Sequence, residues 1–258
     1  MSTSSKTDWW FRFFNHQDYL DIYRDMTGPE RTQREIGFCD RVLGWIPGQK
    51  ILDAPCGAGR HVLELSNRGH AVVGLDASRY LLDQAQRGLE QTHGPALPHF
   101  VRGLLQAMPF REGSFDFVIC LFSSFGYGET TEENLNMMRE FRRVLRPGGK
   151  VLVDVMNRHF IVPRLNTVYE SIQSGLRVRE ERAVIEGGRR LHNHIQVTDR
   201  EGNRRSYLYR PWLYNGWELS WMAAQAGLHS GGVYGNFWGD PYQQTSERAM
   251  LVATRPGK

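Results

Sequence analysis

The chain has 258 residues and a net charge of +4, and 40% of its residues are apolar and 12% aromatic. This length and composition suit one large α/β domain with an elaboration around a hydrophobic core. No apolar run approaches the roughly 20 residues of a membrane span. The chain has no run of five or more basic residues, a feature that would favour a nucleic-acid partner.

The cysteines and the first residues predict a cytoplasmic location. Cys39, Cys56 and Cys120 are too few and too scattered for a disulfide framework or a zinc knuckle. The polar segment Met1–Lys6 lacks the apolar stretch of a signal peptide. We therefore expect a reducing compartment, in which Cys56 and Cys120 are small buried residues at strand ends.

Residues 1–30 are predicted to form an aromatic helical flap. Aromatic residues recur at a spacing that suits one or two short helices. They are Trp9, Trp10, Phe11, Phe13, Phe14, Tyr19 and Tyr23. These helices either pack on the core or cover a ligand. A further helix is predicted over 30–45, ended by Pro47 and Gly48.

Strands and helices alternate over the core region, 31–156, which predicts a parallel, doubly wound sheet. The predicted strands cover 50–54, 71–75, 99–102, 115–121 and 150–155, and the helices between them cover 58–68, 78–90 and 131–145. The loop Gly94–Pro98 leads into the third strand, and Arg146–Gly149 is expected to turn into the fifth. The region 215–258, with a helix over 216–226 and strands over 228–235 and 247–254, is predicted to finish the sheet.

The region 157–214 breaks this alternation and is predicted to be an antiparallel hairpin insert. Its strand-like runs cover 176–185, 191–198 and 205–212, with turns at Gly188 and Gly202. The insert follows the fifth strand, so we expect it above the carboxyl edge of the sheet. Its aromatic residues and arginines suit the wall of a cavity for a planar or anionic small molecule. A dimer surface is the alternative.

A glycine turn and two acids carry the chemistry of the core. The first strand ends in Asp53-Ala54-Pro55-Cys56-Gly57-Ala58-Gly59, and the second ends in Asp76. Glycines let the backbone approach a ligand, the helix that follows favours an anionic group at its start, and an acid after the second strand suits ribose hydroxyls. The sequence therefore predicts a nucleoside pocket.

These residues and three later motifs resemble the class I S-adenosylmethionine-dependent methyltransferases over about residues 35–156. The later motifs are Met108-Pro109-Phe110, Ser114-Phe115-Asp116 and the run Arg143-Val144-Leu145-Arg146-Pro147-Gly148-Gly149. The pairs Glu218-Leu219 and Gly227-Leu228 resemble small-molecule members. The resemblance implies a Rossmann-like, doubly wound seven-stranded sheet with a final antiparallel strand. It also implies S-adenosylmethionine as cofactor and S-adenosylhomocysteine as product.

The resemblance also implies a set of cofactor-binding residues. They are Tyr19, Asp53, Cys56, Gly57, Ala58, Gly59, Asp76, Ala77, Leu104, Leu105, Gln106, Leu121 and Phe122. Leu104 stands where many members have an acid that binds the adenine amino group. We therefore expect adenine to be held by backbone groups near Leu105 and by Gln106, with somewhat weaker nucleotide selectivity.

A nicotinamide dinucleotide is the rival ligand, because the spacing between the glycine turn and Asp76 fits it as well. Val62, however, stands where the third glycine of that fingerprint belongs. No separate hydride-transfer constellation is evident. The sequence thus favours a methyltransferase over a dehydrogenase.

Methyl transfer needs an in-line approach of the acceptor, and an alcohol or ammonium acceptor also needs a general base. The catalytic candidates are His16, Tyr19, His61 and His159, without a choice among them. The substrate candidates are Tyr23, Ser123, Tyr127, Arg210 and Trp212. His192 and His194 would share one face of a strand, but no third ligand is identifiable nearby, so no metal is expected.

Our first hypothesis is a methyltransferase acting on O, N or C of a small metabolite by in-line displacement. The alternatives are methylation of RNA or protein, and a non-catalytic module that binds S-adenosylmethionine. Cys56 lies inside the glycine loop, which argues against a cysteine nucleophile of the cytosine C5-methyltransferase type. No membrane or nucleic-acid partner is expected, and a homodimer is left open.

Overall fold

The computed structural model describes residues 8–92 and 97–257. The predicted polar start Met1–Lys6 and loop residues 94–96 lie outside the described residues, as does the side chain of Trp9.

Eleven strands and eight α-helices are formed by the described residues. The helices are α1 (Asp8–Phe14), α2 (Gln17–Tyr23), α3 (Pro29–Leu43), α4 (Arg60–Asn67), α5 (Arg79–Arg87), α6 (Thr131–Val144), α7 (Arg158–Ile161) and α8 (Gly216–Gln225). The strands are β1 (Lys50–Asp53), β2 (Ala71–Asp76), β3 (His99–Arg102), β4 (Phe115–Cys120), β5 (Leu145–Met156), β6 (Val168–Gln173), β7 (Leu176–Ile185), β8 (Arg190–Thr198), β9 (Arg204–Tyr209), β10 (His229–Tyr234) and β11 (Arg248–Thr254).

Seven strands form one sheet in the order β10-β11-β5-β4-β1-β2-β3. Strand β11 runs antiparallel to both of its neighbours, and the other pairings are parallel. One face packs on α3, α4 and α5, and the other packs on α6 and α8. The predicted doubly wound fold with a single antiparallel strand is therefore confirmed. The chain order reverses between β1 and β4, where ligands bind in such sheets.

The start of β5 differs from the prediction. Pairing with β4 begins at Leu145, opposite Phe115, and resumes at Lys150, opposite Phe117. The predicted turn Arg146–Gly149 is therefore a bulge inside the strand pairing, where extra residues on β5 oppose a single residue of β4.

The insert is a separate four-stranded antiparallel sheet in the order β6-β7-β8-β9, whereas the sequence predicted three strands. The missed strand, β6, is mostly exposed and lies at an edge, so it lacks a clear apolar face. The turn into β7, Ser174-Gly175, has positive φ at both residues, as a type I′ hairpin turn requires. The predicted strand 205–212 ends at Tyr209, because Pro211 has no N–H to continue the ladder.

The flap helices α1 and α2 lie on the inner face of the insert. Phe13 and Ile22 share a buried cluster with the insert residues Val178, Ile195 and Val197. At the core side, the Ser78 hydroxyl donates to the carbonyl of Phe14 over 2.7 Å. The flap is thus held between the insert and the edge of the large sheet. Within the ranges 8–92 and 97–257, none of the helices is both long and apolar enough to cross a membrane.

Candidate functional site

The loop after β1 makes a tight turn against β2. Cys56 N–H donates to the Leu75 carbonyl, and Gly57 N–H donates to Asp76 Oδ2, both over 2.8 Å. Gly59 has φ of +80°, and a Cβ there would lie 2.9 Å from the Cβ of Ala85. Only glycine satisfies both the left-handed backbone and this close packing at position 59.

Asp76 is the buried acid at the carboxyl end of β2. Its Oδ2 accepts from Gly57 N–H and its Oδ1 from Ser78 N–H, each over 2.8 Å. Burial raises the pKa of Asp76 to about 6, although these backbone hydrogen bonds oppose the rise. Each carboxylate oxygen has a further lone pair, so two ligand hydroxyls could be accepted.

A cavity opens beside this turn, between the carboxyl edge of the sheet and the flap. Its floor and sides come from the loops that follow β1, β2, β3 and β4, and its roof comes from α1 and α2. The lining residues are Trp10, Phe14, Tyr19, Leu20, Thr27, Pro55, Cys56, Gly57, Ala58, Arg60, His61, Leu75, Asp76, Ala77, Leu81, Gly103, Leu104, Leu105, Gln106, Leu121, Phe122, Ser124, Tyr127 and Met137. The wall is mainly apolar, with Asp76 as its acid and Arg60 and His61 as its basic side chains.

A fully buried carboxylate, Glu35 of α3, lies behind Arg60 and His61. Its Oε2 is 2.5 Å from Arg60 Nη2 and 2.8 Å from His61 Nε2, and its Oε1 accepts from Arg31 Nε over 2.8 Å. Burial alone would raise the pKa of Glu35, yet His61 and the arginines lower it to about 2. Burial and the Arg60 charge lower the pKa of His61 to about 4, so its ring is neutral.

Asp53 completes this cluster on the other side of His61. Its Oδ2 is 3.8 Å from His61 Nδ1 and has no hydrogen-bond partner within the described part of the chain. Burial raises the pKa of Asp53 well above its ordinary value, although the Arg60 charge opposes the rise. Both ring nitrogens of His61 therefore face core carboxylates.

The loop after β4 holds two consecutive residues in a left-handed conformation, Phe122 at φ +60° and Ser123 at φ +59°. The pair of buried Asp154 and half-buried Arg248 fixes them, because Phe122 N–H donates to Asp154 Oδ2 over 2.9 Å and Arg248 Nη2 donates to Ser123 Oγ over 2.9 Å. Arg248 Nη2 also lies 2.7 Å from Asp154 Oδ2. The Phe122 ring lies beneath the guanidinium groups of Arg31 and Arg60, 5.1 and 5.4 Å from its centroid.

The comparisons with known proteins agree with this geometry. Residues 51–149 match the family described as methyltransferase domain. This span contains the glycine turn, Asp76 and the loop after β4. Over these residues the chain is similar to methyltransferase domains. The resemblance to class I S-adenosylmethionine-dependent methyltransferases is thereby confirmed.

Two relatives and one solved structure illustrate the similarity. Demethylmenaquinone methyltransferase of Lactococcus lactis is 34% identical over 132 residues, which are 50% of each chain. Cypemycin N-terminal methyltransferase of Streptomyces sp is 27% identical over 226 residues, 81% of this chain and 84% of the relative. The CcbJ methyltransferase of Streptomyces caelestis has the same fold, with a TM-score of 0.80 at 20% identity over 95% of this chain and 98% of the other. The chain spans only about half the length of several curated relatives. The matched segments make up 45%, 50% and 58% of three of them.

Most of the residues expected to bind the cofactor line the cavity of the methyltransferase domain. The exceptions are Asp53, the last residue of β1, and Gly59, the last residue of the glycine turn. Among the catalytic candidates, Tyr19 and His61 line the cavity. His16 instead caps α2 by accepting from Asp18 N–H, and His159 lies beside Trp217, with Nε2 3.4 Å from Asn215 Nδ2.

Of the substrate candidates, Tyr127 lines the cavity, and Tyr23 packs behind it against Phe122. Ser123 points to Arg248, and its neighbour Ser124 takes a place in the lining. Arg210 and Trp212 lie outside the lining, since Arg210 is near Glu129 and the Trp212 ring nitrogen donates to the Gly128 carbonyl. In 8–92 and 97–257 no group of three or more His, Cys, Asp or Glu side chains is arranged so that it could hold a metal ion.

Glu35, Arg60 and Arg248 are the main residues that the sequence did not identify. Glu35 gives one signal, because an acid directly beside Ile36 interrupts the apolar face of α3. Arg60 and Arg248 give no signal in the sequence, because the residues they contact are distant along the chain. Trp10 and Phe14 were recognised as flap aromatics but not as parts of the cavity.

Proposed function

We propose that this chain is an S-adenosylmethionine-dependent methyltransferase that acts on a small molecule. The observation that carries the proposal is the pairing of Gly57 N–H with Asp76 Oδ2 at the edge of a cavity in a methyltransferase domain. When bound, S-adenosylmethionine would supply an electrophilic methyl group on a sulfonium.

The residues present fit this cofactor. A Cβ on Gly57 would meet no atom within 4 Å, so space for a ligand lies directly against the backbone there. Asp76 would accept from the ribose hydroxyls, and Leu104, Leu105 and Gln106 would contact the adenine. Arg60 would attract the methionine carboxylate, because its guanidinium lies on the cavity wall with Glu35 behind it.

The shape of the cavity supports a small acceptor over RNA or a folded protein. Aromatic side chains of the flap, Trp10, Phe14 and Tyr19, roof the cavity, and Tyr127 closes a side. A polymer would need an open groove of basic residues, whereas this wall is mostly apolar. Because the Streptomyces relative is named for N-terminal methylation, the amino terminus of a peptide is also an acceptor to test.

Removing the Asp76 carboxylate tests the cofactor site. We expect Asp76→Ala to weaken S-adenosylhomocysteine binding at least tenfold in titration calorimetry, because hydrogen bonds to a charged group contribute about 1.5–3 kcal/mol each. Asp83→Ala is the matched control, since Asp83 is an exposed acid of α5 that faces Arg79 at 3.9 Å. Equal affinities in both variants would contradict the assignment of Asp76.

Methyl transfer from labelled S-adenosylmethionine separates the three functional hypotheses. We expect label in a pool of small metabolites and none in RNA or protein fractions. Label in a polymer would favour the second hypothesis. Binding of S-adenosylhomocysteine without any transfer would favour the non-catalytic module.

We further propose a cytoplasmic location. The insert, which was expected to form a cavity wall, instead supports the flap, because none of the lining residues belongs to 157–214. The location is supported by three free, buried cysteines, which suit a reducing compartment. The alternative role of the insert, a dimer surface, is supported by exposed Tyr169 and Ile172 on β6. Light scattering at micromolar concentration would detect such a dimer.

A further inference from the structure

Helix α3 lies behind the cavity and supplies two buried polar side chains that hold Arg60. Glu35 is fully buried and Thr32 is 5% exposed. Their positions are three apart in the helix, so the two side chains share a face. Arg60 Nη2 lies 2.5 Å from Glu35 Oε2, and Arg60 Nη1 donates to Thr32 Oγ1 over 2.9 Å. One helix thus engages both terminal nitrogens of the guanidinium.

The Glu35 carboxylate is itself fixed at both oxygens. Its Oε1 accepts from Arg31 Nε over 2.8 Å, and its Oε2 lies 2.8 Å from His61 Nε2. Burial opposes its ionisation, but His61 and the arginines lower the pKa of Glu35 to about 2, so the carboxylate stays charged at neutral pH. A charged group with contacts at both oxygens has little freedom to move. It can therefore hold Arg60 in one orientation.

Arg60 also reaches the cavity. It is one of the lining residues, and its side chain keeps 19% of its surface exposed. Its guanidinium carbon lies 5.4 Å from the centroid of the Phe122 ring, which lines the cavity as well. Glu35 and Thr32 are absent from the lining. They can therefore affect a ligand only through the side chain that they hold.

The charges around Glu35 leave an excess of positive charge. Burial raises the pKa of Asp53 well above its ordinary value and, together with the Arg60 charge, lowers the pKa of His61 to about 4. Both of these groups are therefore favoured in their neutral forms at neutral pH. Arg31 and Arg60 then share one ionised acid, Glu35. An excess positive charge on a cavity wall favours an anionic group of the ligand.

We propose that Glu35 and Thr32 are positioning residues, which fix the Arg60 guanidinium where it binds the carboxylate at the amino-acid end of the cofactor. This inference rests on the proposed function and adds two residues that act through Arg60. An arginine held in one orientation loses less side-chain entropy on binding and presents its donors in a fixed geometry. The site therefore discriminates against adenosyl compounds that lack this carboxylate.

Two ligands that differ only in the carboxylate isolate its contribution. They are S-adenosylhomocysteine and its decarboxylated form, which keeps the adenosyl group, the sulfur and the amine. Calorimetric titration with each gives the carboxylate preference, which we define as the ratio of the two affinities. We expect a preference of about tenfold in the wild-type protein, as a charge-assisted hydrogen bond provides. Equal affinities overturn the inference and leave the proposed function standing, whereas binding of neither ligand overturns both.

Glu35→Gln separates positioning from simple electrostatics. Loss of a negative charge makes the cavity wall more positive, so electrostatics alone would raise the carboxylate preference. Loss of positioning lowers it, and we expect a fall to about threefold with the affinity for the decarboxylated ligand unchanged. Asp40→Asn is the matched control, because Asp40 is an acid of the same helix that pairs with Arg68 Nη1 over 3.1 Å outside the cavity lining. It should keep the wild-type preference. A preference in Glu35→Gln at or above the wild-type value overturns the inference.

Thr32→Val gives a second test that leaves the charges in place. It keeps the size of the side chain and removes the oxygen that accepts from Arg60 Nη1. We expect the carboxylate preference to fall about twofold, because one of the two contacts that orient the guanidinium is lost. This test also stands if Glu35→Gln does not fold. A wild-type preference in Thr32→Val overturns the positioning role.

A double variant shows whether Glu35 acts through Arg60. We expect Arg60→Met to abolish the carboxylate preference. Adding Glu35→Gln to Arg60→Met should change the ratio of affinities no further, because effects that pass through one side chain are not additive. A purely structural role of Glu35 would lower the affinity for both ligands alike. A further change of the ratio in the double variant overturns the inference.

Discussion

Within the described residues, backbone N–H groups donate the hydrogen bonds that stabilise the Asp76 carboxylate. Gly57 and Ser78 donate to it, while burial still raises its pKa to about 6. Ribose hydroxyls would donate to the ionised form, so a bound ligand would compensate for part of the desolvation. The titration of Asp76 and the affinity for ligand are therefore linked.

This linkage predicts how binding depends on pH. Below its pKa of about 6, Asp76 becomes protonated and loses acceptor capacity, so the affinity for S-adenosylhomocysteine should fall as the pH is lowered through 6. Calorimetric titrations across this range measure the effect. In Asp76→Asn the affinity should be low at every pH and nearly flat, whereas Asp83→Ala should keep the wild-type profile. A wild-type affinity independent of pH would contradict this assignment.

Individual residues were predictable where their role is local. The glycine turn and Asp76 follow from backbone geometry and strand ends, and Ser78 caps α5 as its position suggests. Glu35 was not predictable, because its burial depends on His61 and Arg60, which come 26 and 25 positions later. Sequence periodicity shows which face of α3 is apolar but not which charge that face meets.

Among the elements, the loop after β4 is shaped by strands that follow it in the chain. Phe122 and Ser123 occupy a strained backbone region, which persists only where the surroundings fix it. The Asp154–Arg248 pair, from β5 and β11, does so through Phe122 N–H and Ser123 Oγ. The loop is thus positioned by hydrogen bonds from two neighbouring strands.

Removing one partner of this buried pair should be costly. We expect Arg248→Met to lower the free energy of unfolding by about 3–5 kcal/mol, because Asp154 is left as an uncompensated buried charge. Urea titration measures the loss, and hydrogen exchange should quicken at residues 122–124. Arg139→Met is the control, because its ion pair with Glu132 is exposed and such pairs contribute at most about 1 kcal/mol. A similar small loss in both variants would show that the pair does not fix the loop.

Element prediction succeeded where periodicity was strong and failed at edges. Helix α6 and strand β4 lie within one residue of their predicted bounds, because one has a clear amphipathic face and the other is buried throughout. Strand β6 was missed, since edge strands need no apolar face. The bulge at the start of β5 was read as a turn, because proline and glycine mark both.

In the whole molecule, the flap is a third layer that joins two parts of the chain. Asp18 of α2 is buried and accepts from Arg205 Nε over 2.8 Å and from the Tyr207 hydroxyl over 2.7 Å. The same helix pair roofs the cavity on its other side. The cavity is therefore closed by an element anchored on the insert, which gives the insert an indirect role at the site.

Breaking this anchor should loosen the flap without unfolding the core. We expect Asp18→Ala to speed hydrogen exchange in α1 and α2 and to weaken S-adenosylhomocysteine binding, with exchange in α6 unchanged. Asp21→Ala is a matched control from the same helix, because the ion pair of Asp21 with Arg24 stays within the flap. Unaltered exchange in Asp18→Ala would show that apolar packing alone holds the flap.

The overall architecture was predictable because an alternating strand–helix order permits few topologies. The doubly wound sheet and the insert both follow from that order, and the antiparallel last strand was implied by the family resemblance. The seating of the flap on the insert was not predictable, since it depends on the contact of Asp18 with Arg205, 187 positions away. Sequence patterns near either residue carry no information about the other.

The Asp154–Arg248 pair also bears on how the protein matures during synthesis. Ser123 and Arg248 are separated by 125 positions, and Arg248 opens the last strand. A growing chain on the ribosome thus possesses the glycine turn, Asp76 and Phe122 long before the guanidinium that shapes the Phe122 loop has been translated. Nascent chains halted before position 248 should fold in part but bind the nucleoside poorly, so competence for ligand arrives with the final strand.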